Sequence, residues 1–173
     1  MTTKQFLPLP YGKDVYSELK GNGCYFVDKT PYLKELIDKD KSNVMLFTRP
    51  RRFGKTLFMS MVEYFLKINS ANPGDTTLQQ KLFKDTKILD DQEFCAKYMG
   101  QHPVICLTLK GVYGKTFTSA YYKLAELIVA KAKEYSFLKD SLALNDDDKA
   151  TYAKLSSKDF LHRADENAQS YAT

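Results

Sequence analysis

Short apolar runs in this chain alternate with segments that repeat apolar residues every three or four positions, and the alternation predicts strands followed by helices. We predict strands at residues 25–28, 44–47 and 104–109. The third run, VICLTL, is nearly continuous in apolar residues. Such a run is typical of a strand buried on both faces of a parallel sheet.

The helical periodicity is strongest after residue 56. Six apolar residues recur there at helical spacing, as in a helix that packs on a sheet: Leu57, Phe58, Met61, Val62, Phe65 and Leu66. Thr30 and Pro31 predict an earlier helix start, with proline at its favoured first position. We also predict a short helix near residues 78–83 and a longer one from about Phe117.

Between the second predicted strand and the strongest helix lies the sequence RPRRFGKT, residues 49–56, here termed the candidate loop. Strand, tight Gly-Lys-Thr loop and helix form the context in which backbone N–H groups and a lysine wrap phosphates. Gly54 would allow close approach of the main chain, Lys55 would reach the β- and γ-phosphates, and the Thr56 hydroxyl would ligate Mg²⁺. Arg49 occupies the position of the first glycine of the usual pattern, and Pro50 favours an extended residue before it.

We therefore predict ATP and Mg²⁺ as cofactors of a degenerate Walker A loop. The candidate catalytic residue is Lys55 and the candidate metal ligand is Thr56. The candidate nucleotide-binding residues are Arg51, Arg52, Phe53, Gly54, Lys55, Thr56 and Leu57. A basic turn that binds nothing is the alternative interpretation of the same residues.

A second Gly-Lys-Thr follows the third predicted strand at residues 114–116. Its upstream glycine, Gly111, lies only three residues before Gly114, so the spacing is wrong for a phosphate loop. Thr116 is well placed as an N-cap. We interpret this copy as a strand-to-helix turn.

The chain resembles the AAA-ATPase-like family of predicted P-loop proteins. The matching stretches are residues 7–12 (LPLPYG), 25–33 (YFVDKTPYL), 46–57 (LFTRPRRFGKTL) and 103–107 (PVICL). The resemblance covers the chain from about Leu7 to at least Tyr152. It implies that arginine at position 49, in place of the first glycine, is the form of the loop that this family has.

The resemblance also implies a Walker B element, an apolar strand that ends in Asp-Glu, followed in many members by a restriction-endonuclease-like domain. No run of four apolar residues in this chain ends in paired acids; residues 88–91 (ILDD) predict a loop or short edge strand, and residues 146–148 a solvated acidic run. We expect an N-terminal portion of such a protein, with binding of nucleotide and little hydrolysis. Any nucleic-acid partner would act through the missing nuclease-like domain.

Together these patterns predict an α/β fold: part of a P-loop NTPase-like three-layer α/β/α domain with a mainly parallel sheet. At 173 residues the chain predicts a single domain, with a lead-in over residues 1–23 and a polar, partly disordered tail over residues 156–173. No membrane-length apolar run or signal-peptide pattern occurs, and three cysteines lack metal spacing, so we expect a cytoplasmic protein. The pattern leaves oligomerisation open.

A net charge of +5 permits anionic partners without demanding them. The alternative to nucleotide binding is therefore a nucleic-acid or protein interaction module that uses the basic candidate loop. A second alternative is an inactive, truncated remnant.

Overall fold

The computed structural model describes residues 7–37, 44–157 and 160. The chain divides into two compact units, Met1–Val104 and Ile105–Thr173. Residues 158–159 and 161–173 lie outside the described residues, so the predicted disorder of the tail stays a prediction. None of the helices in the described part has both the length and the apolar character needed to cross a membrane.

Helices build the first unit. In chain order they are α1 (Tyr16–Gly21), α2 (Pro31–Ile37), α3 (Lys55–Leu66), α4 (Thr77–Leu82) and α5 (Gln92–Tyr98), with a 3₁₀ helix at Lys87–Asp90 before α5. The helices predicted after Pro31, after the candidate loop and near residue 78 are confirmed. Residues 88–91, predicted as a loop or short edge strand, instead belong to the 3₁₀ helix and to the N-cap of α5, where Asp91 accepts a hydrogen bond from the N–H of Phe94.

The core of this unit forms around α3. Phe58, Met61 and Phe65 recur at helical spacing and are buried. The ring of Phe65 packs against those of Phe83 and Phe94, with centroids 5.3 Å and 5.8 Å away. Burial of each such side chain contributes about 1.5–3 kcal/mol, so this face fixes α3 and, with it, the loop that precedes the helix.

A buried hydrogen bond also ties α1 to α3. The backbone N–H of Tyr16 donates to Ser60 Oγ at 3.0 Å, and the Tyr16 hydroxyl donates to the carbonyl oxygen of Leu82 at 3.3 Å. These bonds satisfy polar groups that burial would otherwise leave unpaired. The three helices α1, α3 and α4 are thereby held in one arrangement.

The predicted α/β fold with a parallel sheet is wrong for the residues that the structure describes. Their β pairing is a parallel bridge between Lys67 and His102. The N–H of His102 donates to the carbonyl oxygen of Leu66, and the carbonyl oxygen of His102 accepts the N–H of Ile68. None of the predicted strands at residues 25–28, 44–47 and 104–109 forms a strand.

Apolar composition favoured those strands, but a strand also needs a neighbouring strand to pair its backbone N–H and C=O groups and a core that covers its apolar face. Here side chains that come mostly from the helices, many of them aromatic, fill the core of the first unit. The apolar run at residues 44–47 lies mostly in solvent, with Val44 82% and Leu46 85% exposed. In the third run Ile105 is 68% exposed.

The second unit contains α6 (Phe117–Glu134) and α7 (Asp146–Leu155), with 3₁₀ helices at Leu109–Gly111 and Ser136–Asp140. The helix predicted from about Phe117 is confirmed, and Thr116 is its N-cap. The acidic residues 146–148 form the first turn of α7, where negative charge is favourable. The Tyr152 hydroxyl of α7 donates to the carbonyl oxygen of Ala132 in α6.

Candidate nucleotide-binding site

The candidate loop enters α3 through two residues in left-handed backbone conformations. Gly54 has φ of 74° and serves as the N-cap of α3, while Arg52 has φ of 68°. Glycine takes this conformation readily, whereas a side-chain-bearing residue takes it at a cost of about 1–2 kcal/mol. Backbone strain of this kind concentrates at ligand-binding turns. The loop is therefore a tight turn that leads directly into α3.

The N-terminus of α3 has no side-chain cap. Gly54 offers no side-chain acceptor, and the first turn contains no acidic residue. Helices α1 and α4 likewise lack a side-chain cap, whereas α5, α6 and α7 each begin with a side chain that accepts a backbone N–H: Asp91, Thr116 and Asn145. The first N–H groups of a helix need acceptors, so the start of α3 is suited to an external anion.

Lys55 is the first residue of α3, and its ammonium group lies back over the loop. Its Nζ donates to the carbonyl oxygen of Pro50 at 3.0 Å and to that of Arg49. Within the described residues, no ion pair involves Arg49, Arg51, Arg52 or Lys55. Cations near the positive end of a helix are unfavourable by about 0.3–1 kcal/mol each. This arrangement favours a negatively charged ligand that would remove the repulsion.

Two cavities open beside the loop. The lysine cavity has a volume of about 290 Å³ and is lined by Lys29, Tyr32, Phe47, Arg49, Phe53, Gly54, Lys55 and Phe58. The apolar cavity has a volume of about 360 Å³ and is lined by Pro10, Leu19, Tyr25, Phe26, Val27, Lys29, Arg52, Phe53, Gly54, Leu57, Phe58 and Met61. Lys29, Phe53, Gly54 and Phe58 belong to both, so the two cavities adjoin at the loop.

The charged residues in the described lining of these cavities have one sign. They are Lys29, Arg49, Arg52 and Lys55, and the described lining contains no carboxylate. Clefts lined by one sign of charge with apolar walls concentrate ligands of the opposite sign. The site can therefore bind an anion, while the described lining offers no acid that could position water for hydrolysis.

Asp28 fixes the backbone next to Lys29. Its carboxylate accepts the N–H of Thr30 at 2.9 Å and the N–H of Lys87 at 2.8 Å. Partial burial would raise the pKa of Asp28, but the hydrogen bond from Lys87 and those from Thr30 outweigh it and hold the pKa below its usual value. The Thr30 hydroxyl oxygen accepts the N–H of Ile88 at 3.2 Å. Lys29 is thus presented from an anchored segment.

The structure brings most of the predicted site residues together. Five of the seven line one cavity or both: Arg52, Phe53, Gly54, Lys55 and Leu57. Arg51 and Thr56 are exposed and line neither. No observation tests their binding roles, so the site remains a prediction.

The sequence left two interpretations of Lys29, contact with nucleotide or a solvent-exposed strand end, and favoured the second. Lys29 lines both cavities. Its place in the stretch YFVDKTPYL, which resembles the family, was the signal that pointed to it. Glu63, on α3, pairs with Lys67 one turn along the chain at 3.3 Å and not with the loop arginines.

The second Gly-Lys-Thr differs from the first in the space around its glycine. A Cβ on Gly54 would meet no atom within 4 Å, whereas a Cβ on Gly114 would lie 1.8 Å from Ser119 Oγ and 2.8 Å from the N of Ala120. Thr116 is occupied as a cap, because its Oγ1 accepts the N–H of Ser119. This copy closes on its own helix, but the strand predicted before it is wrong, because a 3₁₀ helix at Leu109–Gly111 precedes the turn.

The family model described as Predicted AAA-ATPase matches residues 10–171. The chain therefore belongs to this AAA-ATPase-like family. It is also similar to an uncharacterized protein encoded in the vnfD 5′ region of Azotobacter chroococcum mcd 1, with 26% identity over 121 residues. That match covers 69% of this chain and 20% of the relative. The chain thus spans about a fifth of the relative's length. No solved structure matches the chain.

Proposed function

We propose that this chain binds Mg-ATP through the candidate loop. The observation that carries the proposal is the uncapped N-terminus of α3, which begins at Lys55 beside a cavity whose described lining contains cations and no carboxylate. Helix amides and a lysine ammonium are the groups that bind β- and γ-phosphates in phosphate loops. Membership of a family of predicted AAA-ATPases supports the same ligand.

Each residue has a distinct role in the proposal. The amides that follow Gly54 donate to phosphate oxygens, and Lys55 moves from the carbonyl oxygens of Arg49 and Pro50 to neutralise β/γ charge. Arg52 adds positive charge from the apolar side of the loop. Thr56, in the first turn of α3, is the proposed Mg²⁺ ligand through its exposed hydroxyl.

The proposal is limited to binding, with little turnover by this chain. Phosphoryl transfer also needs an acidic residue that holds the metal and a group that positions the nucleophile. The described lining of both cavities supplies neither. We expect phosphate release from ATP to remain near the rate without protein.

Calorimetric titration of Mg-ATP into the purified chain tests the proposal. The wild type is compared with Lys55→Ala and with Lys115→Ala, which removes the matching lysine of the second Gly-Lys-Thr. We expect saturable binding to the wild type and to Lys115→Ala, and loss of binding in Lys55→Ala. Circular dichroism checks that the three chains are equally folded. Equal binding by all three, or no binding by a folded wild type, refutes the proposal.

Nucleic-acid binding is the second candidate, and the exposed Arg51 favours it because this side chain lines neither cavity. Binding to a nucleic-acid backbone weakens steeply with salt and tolerates Lys55→Arg. A phosphate loop loses specific Mg-ATP binding on that change, because its lysine fits a fixed phosphate geometry. Titrations of both ligands at 50 and 200 mM salt, roughly the range over which backbone binding falls most, separate the two functions.

A further inference from the structure

The apolar cavity lies beside the loop but contains neither Lys55 nor Arg49. Its volume of about 360 Å³ falls within the range of about 300–1,000 Å³ that small-molecule sites occupy. It meets the lysine cavity at Lys29, Phe53 and Gly54. A ligand whose charged end occupies the lysine cavity would therefore extend its other end into the apolar one.

The walls of this cavity are aromatic and aliphatic. Tyr25, Phe26 and Val27 contribute from the segment between α1 and α2, and Phe53 and Leu57 contribute from the loop and the first turn of α3. Tyr25 and Val27 are each more than half exposed although they are apolar. Flat heteroaromatic rings stack on such side chains, and burial of these surfaces by a ligand is favourable.

The described lining of the apolar cavity includes two charged side chains. Lys29 and Arg52 are the charged residues of this cavity, and Lys29 is shared with the lysine cavity. The cavities thus present an apolar compartment, a cationic boundary and a second cationic compartment. A nucleoside triphosphate has the same order of groups: base, sugar and phosphates.

We propose that the apolar cavity binds the base of the nucleotide, with Tyr25 and Val27 as the side chains that contact it. This inference rests on the proposed binding of phosphates by the candidate loop. It adds that affinity for the nucleotide depends on the segment before α2 as well as on the loop, and that a bare phosphate chain is a poorer ligand.

Paired titrations with Mg-ATP and with Mg-tripolyphosphate test the base site, because the second ligand has phosphates without a base. The chains are the wild type, Tyr25→Ala, Val27→Phe and, as a matched control, Tyr11→Ala. Tyr11 is an exposed tyrosine of the same unit that lines neither cavity. Tyr25 contributes its backbone N–H to the Pro8 carbonyl, a bond that the alanine variant retains.

We expect the wild type to bind Mg-ATP about tenfold or more tightly than Mg-tripolyphosphate, because stacking and burial add to the phosphate contacts. Tyr25→Ala should weaken Mg-ATP binding by about fivefold or more and leave tripolyphosphate binding unchanged. Val27→Phe adds a ring inside the cavity and should do the same by competing with the base. Tyr11→Ala should change neither affinity.

Failure of the base site and failure of the phosphate site give different results. Equal affinities for the two ligands in the wild type, or equal Mg-ATP binding by all four chains, would overturn the base site alone. Absence of binding by either ligand to the folded wild type would overturn the proposed function and the base site with it.

Discussion

Replacing Gly54 with alanine tests the left-handed turn that starts α3. Gly54 has φ of 74°, and a Cβ at this position would meet no atom within 4 Å. The substitution therefore adds backbone strain without a steric clash. Any loss of stability reports on the conformation of the turn itself.

The expected magnitude follows from two opposing terms. Alanine in the left-handed region costs about 1–2 kcal/mol, and removal of glycine's freedom from the unfolded chain returns about 0.4–1 kcal/mol. The net destabilisation is then about 1 kcal/mol, which corresponds to a fall in Tm of roughly 2–4 °C for a chain of this size. Mg-ATP binding should weaken as well, because the strained turn shifts the amides that follow it.

Gly21→Ala is the matched control. Gly21 ends α1 in the same unit, its φ lies outside the left-handed region, and its Cβ would also meet open space. This variant should be stabilised by about 0.4–1 kcal/mol. Urea unfolding followed by circular dichroism measures both. An increase in stability for Gly54→Ala equal to that for Gly21→Ala would refute the left-handed turn.

Three further substitutions test the surroundings of the site. Asp28→Asn should lower stability at neutral pH by about 1–3 kcal/mol, because the carboxylate accepts N–H groups of Lys87 and Thr30. Folding lowers the pKa of Asp28, so this stabilisation is present above its unfolded pKa of about 4 and is lost as pH falls through the folded pKa. The urea midpoints of the wild type and Asp28→Asn should therefore converge from pH 7 to 2. A difference that stays constant over this range would contradict the stabilising role of the carboxylate. Thr116→Ala removes the cap of α6 and should lower the free energy of unfolding, measured in urea, by about 1 kcal/mol. Mg-ATP binding should stay unchanged, and weaker binding would contradict a purely structural cap. Phe65→Ala opens the core and should cost about 3–5 kcal/mol in the same assay, whereas a loss below 1 kcal/mol would show that Phe65 is not a core residue.

The helices were predictable because their signals are local. The Thr116 side chain caps α6 by accepting the N–H of Ser119, the third residue of that helix. Pro31 starts α2 at the position that proline favours. The apolar positions of α3 repeat every three or four residues and bury one face. Each signal needs only the residues within about two helical turns.

The sheet could not be predicted in the same way, because a strand depends on a partner distant in sequence. The run at residues 44–47 has strand-forming composition, yet Phe47 packs on a helix here, stacking on Phe58 at 4.8 Å between ring centroids. Its neighbour Leu46 faces solvent. Local propensity was therefore present without the pairing that makes a strand.

The candidate loop was visible in the sequence, but its surroundings were not. Lys29 and Tyr32 reach the lysine cavity from a segment more than 15 residues before the loop. Their contribution depends on tertiary contacts, including the bond from Lys87 N–H to Asp28 that links distant segments. No periodicity or motif spacing encodes such a contact.

Amide hydrogen exchange, measured by NMR with and without Mg-ATP, tests the central claim most directly. Binding of phosphates by the start of α3 predicts slower exchange at the amides of residues 53–57. The amides of residues 117–119, at the capped start of α6, serve as the internal reference and should not change. Equal effects at both helix starts, or no slowing at residues 53–57 at saturating Mg-ATP, would contradict the account.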